Sequence, residues 1–249
     1  MRRYLCRFVL GAMLVATPSA AAQTTTQLWA NVTFSRVQSS TLMYEVDFEP
    51  KALVSRPPDE PDWANVDVTP AIEFSMVPWL DLVGELPIGF TTQTDEIDTT
   101  EVTVRGGARF HLFSRQNRLL LKEKLPKRRL VIRDLFRAEL RHFVYSNDQP
   151  AESTGRFRNR VELLFPLNRP NLADAGTIHL LTDWEWFIPL SDQQERFANR
   201  QRIRTGVGYR HDAAWRFALL YIWARSRDTT DEPFTTSENI VDFQVKRVW

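Results

Sequence analysis

The chain has 249 residues, of which 32 are Lys or Arg and 31 are Asp or Glu, giving a formal net charge of +1 with the histidines neutral. That balance argues against a nucleic-acid binder, which carries a clear basic excess. The one cysteine, Cys6, leaves the rest of the chain without a disulfide framework or a cysteine-based metal site.

Residues 1–22 read as a secretory signal. Arg2, Arg3 and Arg7 make a positive start, FVLGAMLVA an apolar segment, and Ala20 and Ala22 the small residues of a cleavage site. The apolar run is shorter than the roughly 20 residues that a membrane helix needs. The expected organisation is therefore a cleaved signal over 1–22 and a single domain over 23–249. Removing three arginines leaves 29 basic against 31 acidic residues, a net charge of −2.

Beyond the signal the apolar residues recur with a period of two. Leu42, Tyr44, Val46 and Phe48 alternate with Glu45, Asp47 and Glu49; Val102, Val104, Ala108, Phe110 and Leu112 alternate with Arg105, Arg109 and His111. Such alternation marks strands with two unlike faces. Taken in chain order it predicts strands near 27–36, 41–53, 64–77, 79–91, 100–113, 128–145, 154–166, 176–189, 197–211, 213–226 and 237–249. The pattern shows no amphipathic helix. The expected fold is all-β, an antiparallel transmembrane β-barrel of the outer-membrane type. Bacterial single-chain barrels usually have an even number of strands, so about 12 are expected, with ten as the second choice. A strand missing from the count is sought in RQNRLLLKEKLPKRRLVIRD, residues 115–134, or in QTTTQ at 23–27.

In such a barrel the apolar face turns outward and the charged face inward. Phe110, Phe136, Phe165, Trp184, Trp186, Tyr209, Trp215, Tyr221, Trp223 and Phe243 share the apolar face, several of them near strand ends, where interfacial aromatic girdles sit. The inward charges segregate: Glu45, Asp47, Glu49, Asp67, Glu73, Asp81 and Glu85 come early, and arginines dominate later. In VDFQVKRVW, residues 241–249, Phe243, Val245 and Trp249 are expected to form the aromatic strand signal read by a barrel-assembly machinery. Short turns such as HDAA and MVPW are expected at the same mouth as Trp249, with longer loops at the other. The pair Gly106–Gly107 inside a strand suggests a bend.

The segment RFRNRVELLFPL, residues 156–167, sets Arg156, Arg158 and Arg160 on one face as a basic comb. Placing the following turn near 171–172 puts Arg158 opposite Glu185 and Arg160 opposite Asp183. A loop centred near 193–194 then puts Arg202 opposite Glu185 and Arg204 opposite Asp183. Cross-strand pairs of opposite charge stabilise a sheet, so these residues, with Arg137, Glu139 and Arg141, are expected to form a lumen charge network. The comb would brace the wall and not bind nucleic acid.

RAELRHF, RFRNRVELLFPL, DWEWFIPL, NRQRIRTGVGYR and the aromatic end of the sequence resemble domain-of-unknown-function family 2490, a family of uncharacterised bacterial outer-membrane barrels. The resemblance is strongest from about residue 133 onward. It implies a barrel in the outer membrane and no established activity or catalytic residue.

The chemistry-bearing residues are sparse. His111, His142, His179 and His211 lack metal-ligand spacing, and no serine stands in a nucleophile motif. Asp183 and Glu185 could serve as an acid-base pair, but their flanking arginines favour a salt-bridge role. No catalytic residue, metal site or cofactor is expected. The expected function is a non-enzymatic narrow channel or structural barrel with a salt-bridged lumen. Alternatives are an outer-membrane enzyme acting on lipid, such as an acyl hydrolase, and a secreted soluble β-barrel binding protein. Outer-membrane lipid, the assembly machinery during biogenesis, and small ions or solutes are the expected partners.

Overall fold

The computed structural model describes residues 24–58, 61–94, 97–113, 130–190, 199–227 and 233–249. The expected signal over 1–22 lies outside the described residues, as does most of 115–134. Every regular element among the described residues is a strand.

There are twelve: β1 (Thr25–Val37), β2 (Leu42–Ser55), β3 (Trp63–Val77), β4 (Leu80–Glu85), β5 (Ile88–Gln93), β6 (Thr99–Phe113), β7 (Val131–Tyr145), β8 (Glu152–Pro166), β9 (Thr177–Pro189), β10 (Arg200–Arg210), β11 (Trp215–Ser226) and β12 (Thr235–Val248). They form one sheet that closes on itself. The number matches the expectation, but the twelfth strand comes from a different place. The predicted segment 79–91 is split in two. β4 and β5 lie end to end, each paired with β3 on one side and β6 on the other. The break falls at Leu86–Pro87, where Pro87 has no N–H to give to the ladder. Hydrogen bonding persists through it: Leu86 N–H donates to Pro70 O at 2.9 Å and Thr103 N–H to Pro87 O at 2.8 Å.

With β4 and β5 counted as one stave, the wall has eleven. Adjacent staves joined by turns must alternate in direction, so an odd number forces the last to run parallel to the first. β1 and β12 do so, from Thr25 opposite Glu238 to Ser35 opposite Val248. Trp249 finishes the seam: its N–H donates to Ser35 O at 3.0 Å, and its carbonyl accepts from Val37 N–H at 2.9 Å. Thr25 therefore lies at one mouth of the barrel, the N-mouth, and Trp249 at the other, the C-mouth. The turns at 78–79 and 211–214 sit at the C-mouth, as the sequence suggested. The expectation that the longer connections collect at the opposite mouth is not met. Residues 167–176 connect β8 to β9 at the C-mouth, and β6 ends and β7 begins there too.

The faces divide as the alternation requires. Phe34, Phe48, Phe136, Leu140, Phe157, Phe165, Trp184, Leu219, Tyr221 and Phe243 point outward and are exposed, whereas Arg137, Glu139, Asp183 and Glu185 point inward and are buried. The inner face also buries apolar side chains, singly among the charges at Val83, Leu135, Leu164 and Phe187 and as a cluster in one sector. Leu220, Ile222 and Ala224 of β11, Ile240 of β12 and Trp29 of β1 are buried inside. An apolar strip thus runs down the interior beside the seam.

Candidate functional site

The inward face of β7 carries Arg133, Leu135, Arg137, Glu139 and Arg141, and that of β8 carries Arg156, Arg158, Arg160 and Glu162. One of them, Arg137, reaches past both adjacent staves to pair with Glu85 on β4 and Glu185 on β9. Six residues close a ring of alternating charge: Glu85 to Arg105 at 2.6 Å, Arg105 to Glu139 at 2.6 Å, Glu139 to Arg158 at 2.8 Å, Arg158 to Glu185 at 2.8 Å, Glu185 to Arg137 at 2.9 Å, and Arg137 back to Glu85 at 3.3 Å. Three carboxylates meet three guanidiniums, and β4, β6, β7, β8 and β9 are tied by side chains as well as by backbone. Arg156 adds a fourth cation by pairing with Glu139. Breaking one member of a buried ionic group leaves its partner charged and unpaired, which costs about 3–5 kcal/mol.

Two local features make the ring possible. Gly107 stands opposite Arg137 in the β6–β7 ladder. A Cβ there would fall 2.7 Å from Arg137 Cγ and 2.4 Å from Phe136 O. The glycine provides the notch through which Arg137 crosses β6 to reach Glu85. The second feature is Phe187, buried and inward on β9. The guanidinium carbons of Arg158, Arg202, Arg156 and Arg200 lie 4.7, 5.0, 5.2 and 6.0 Å from its ring centre. An aromatic face attracts such cations and spaces the arginines apart.

The β8–β9 register corrects the expected one by two residues. Arg158 stands opposite Phe187, Arg160 opposite Glu185 and Glu162 opposite Asp183. A shift of two preserves which face each residue occupies, so alternation alone did not detect it. Arg158 still binds Glu185, along the diagonal. The β9–β10 register is the one expected, with Arg202 opposite Glu185 and Arg204 opposite Asp183. Yet opposition does not guarantee contact. Arg204 Nε donates to Asp183 at 2.8 Å, whereas Arg202 makes no ion pair among the described residues and stacks instead between Phe187 and, at 5.3 Å, Trp29. Arg160 likewise makes no ion pair among the described residues. Arg141 grips Glu101 with two hydrogen bonds, at 2.7 and 2.9 Å. Thus Arg137, Glu139, Arg156, Arg158 and Glu185 come together, Asp183 with Arg204 and Arg141 with Glu101 form separate pairs, and Arg160 and Arg202 stand among them unpaired.

Sequence reasoning missed Glu85, Arg105, Gly107 and Phe187 as members of the site. The two charges were visible as inward residues, but a contact two staves away leaves no periodic trace. Phe243 and Val245 face outward on β12, and the Trp249 ring lies 6.1 Å from that of Phe34.

Among the described residues no group of three or more His, Cys, Asp or Glu is placed to hold a metal ion. One serine meets a histidine: Ser153 Oγ lies 2.9 Å from His142 Nδ1 on the outer face. A hydrolytic triad needs the second ring nitrogen oriented by a carboxylate. His142 makes no such contact among the described residues.

Among the described residues, cavities in the N-mouth half of the interior include one of about 460 Å³ lined by β7 to β11 and one of about 310 Å³ lined by β1, β2, β3, β5, β6, β10 and β12.

Residues 26–235 match the family described as "Protein of unknown function (DUF2490)". The chain belongs to this family. No curated protein matches the chain. This DUF2490 member is a closed β-barrel whose charged groups are gathered in its interior.

Proposed function

We propose that this protein is an outer-membrane barrel whose bore is crossed and braced by the ionic ring, acting as a structural barrel or narrow conduit and not as a wide pore. The observation that carries the reading is the inversion of its two faces: exposed aromatic and aliphatic side chains outside, buried carboxylates and arginines inside. In water such an outer surface is an association hazard, since contiguous apolar patches beyond a few hundred Å² mark contact surfaces. In lipid the same surface is solvated, and closure satisfies the backbone without water. The ring supports the narrow bore because six charged side chains gather inside five neighbouring staves, with Arg137 spanning two staves on either side to reach Glu85 and Glu185.

Unitary conductance of the refolded protein in planar bilayers tests this. A small or absent conductance that rises when Arg137 and Arg158 are replaced together by Ala is expected. A wide-pore conductance in the unmodified protein would overturn the braced bore, and a monomer fully soluble without detergent would overturn the membrane location.

A further inference from the structure

The larger N-mouth cavity has an unusual lining. Arg141, Arg156, Arg200 and Arg227 border it with Asn199 and Ser226, and no carboxylate does so among the described residues. Its neighbour at the same mouth is balanced, with Lys51, Arg200 and Arg202 against Asp67, Glu101 and Glu238. The contrast matters because a low-dielectric cleft lined by one sign of charge concentrates the opposite ion.

The ring locates the surplus. Glu85, Glu139 and Glu185 are neutralised by Arg105, Arg137 and Arg158, so Arg156, the third arginine on Glu139, has no carboxylate of its own. Arg202, on the other side of Phe187, pairs with none among the described residues. Arg156 is therefore the surplus charge that borders this cavity, whereas Arg202 borders its neighbour across Phe187. Arg156 engages Glu139 through Nε, Arg200 engages Glu238 through Nη2, and Arg141 engages Glu101 through Nε and Nη2. Each retains at least one terminal nitrogen with no protein partner among the described residues. Planar guanidiniums with free N–H groups suit the several oxygens of a phosphate, which they bind through paired hydrogen bonds. A volume of about 460 Å³ exceeds a bare phosphate and falls within the roughly 300–1,000 Å³ of small-molecule sites.

We propose that this cavity binds a dianionic phosphate group, free or as a small ester, with Arg156 and Arg200 as its principal donors. The site rests on the barrel interior and not on the membrane reading, so the two fail separately. The test is calorimetric titration of the whole refolded barrel in detergent at low salt with inorganic phosphate, glycerol 3-phosphate, dihexanoyl phosphatidic acid and succinate. Saturable binding of phosphate is expected, weakened at least tenfold by Arg200→Gln and by Arg156→Gln. Arg210→Gln, which removes an arginine at the opposite mouth, should leave it unchanged. Because Arg156 also touches the ring, Arg200→Gln keeps the test decisive if the other variant fails to fold. Tighter binding of the phosphatidic acid than of glycerol 3-phosphate identifies a lipid headgroup as the source, and the reverse a soluble ester; both support the site. No saturable binding by the unmodified barrel at millimolar phosphate, an equal loss in Arg210→Gln, or succinate binding as tightly as phosphate would each overturn it.

Discussion

Gly107 and Arg137 share one volume: the glycine's missing side chain is the passage through which the arginine reaches Glu85. Adding a methyl group at 107 meets backbone at Phe136 O, which cannot swing aside as a side chain could. Gly107→Ala should therefore cost about 1–3 kcal/mol in overpacking and detach Arg137 from Glu85. Reversible urea unfolding in lipid or detergent measures it, and an unchanged midpoint would show that the notch is not needed.

Glu185 distinguishes contact from mere opposition. Arg202 stands directly across from it and Arg158 on the diagonal, yet of these two Arg158 alone is bonded to it. In double-mutant cycles with glutamine replacements, Arg158–Glu185 should couple by about 1–3 kcal/mol and Arg202–Glu185 by less than about 0.5 kcal/mol. Equal couplings would mean that the charges interact through the general field of the interior and not through the ring.

Leu219 and Ala218 test the direction of the faces. Leu219 is 55 % exposed on the outer side, and its neighbour points inward. In a bilayer, Leu219→Arg should cost about 2–4 kcal/mol if it lies near mid-depth, and Ala218→Arg less, because the interior already accommodates charge. The reverse order of penalties, read from unfolding in lipid vesicles, would turn the barrel inside out.

Trp249 combines two roles that one deletion confounds. Its backbone closes the seam with Ser35 and Val37, so removing the residue must weaken the refolded barrel as well as any assembly signal. Trp249→Ala keeps the backbone bonds. It should lower the amount of folded protein in the outer membrane while leaving in vitro unfolding nearly unchanged. Normal membrane levels would remove Trp249 from the assembly signal.

At the C-mouth turn, Asp212 accepts hydrogen bonds from the N–H groups of Trp215 and Ala214, both at 2.7 Å. These hold its carboxyl below the usual aspartate range. A depressed folded value stabilises the turn above the unfolded pKa, and that contribution is lost as pH falls through the folded pKa. Asp212→Asn should abolish this acid sensitivity, and a carboxyl carbon titration by NMR should show the native group ionising below free aspartate. A titration at or above the free value would contradict the turn geometry.

The strands and their facing were legible because each stave contrasts an apolar outer face with a charged inner one over about a dozen residues. Where the contrast vanished, so did the signal. FALLYIWA, residues 217–224, is apolar on both faces, and its inward Leu220 and Ile222 gave no hint of the strip beside the seam. The break at Leu86–Pro87 was hidden because alternation resumes in phase beyond it. The β8–β9 register was beyond reach for a different reason: facing repeats every two residues, and only the length actually consumed by 167–176 distinguishes 158 opposite 185 from 158 opposite 187. The ring itself depends on how far arginines extend around the circumference, which no linear pattern encodes.

The parallel seam has a kinetic meaning. Every other junction in the wall links strands that follow one another along the chain or sit beside the Leu86–Pro87 break, and can zip from a nearby turn. β1 and β12 must find each other across more than two hundred residues, with no connecting loop to set their alignment. Loop-closure entropy makes such a pairing slow, and a one-residue slip there would drive Glu238 and Asp242 to the outer face. With no loop to align it, the seam depends on its own contacts, among them the Trp249 backbone bonds to Ser35 and Val37 and the edge-on packing of Phe34 against Trp249.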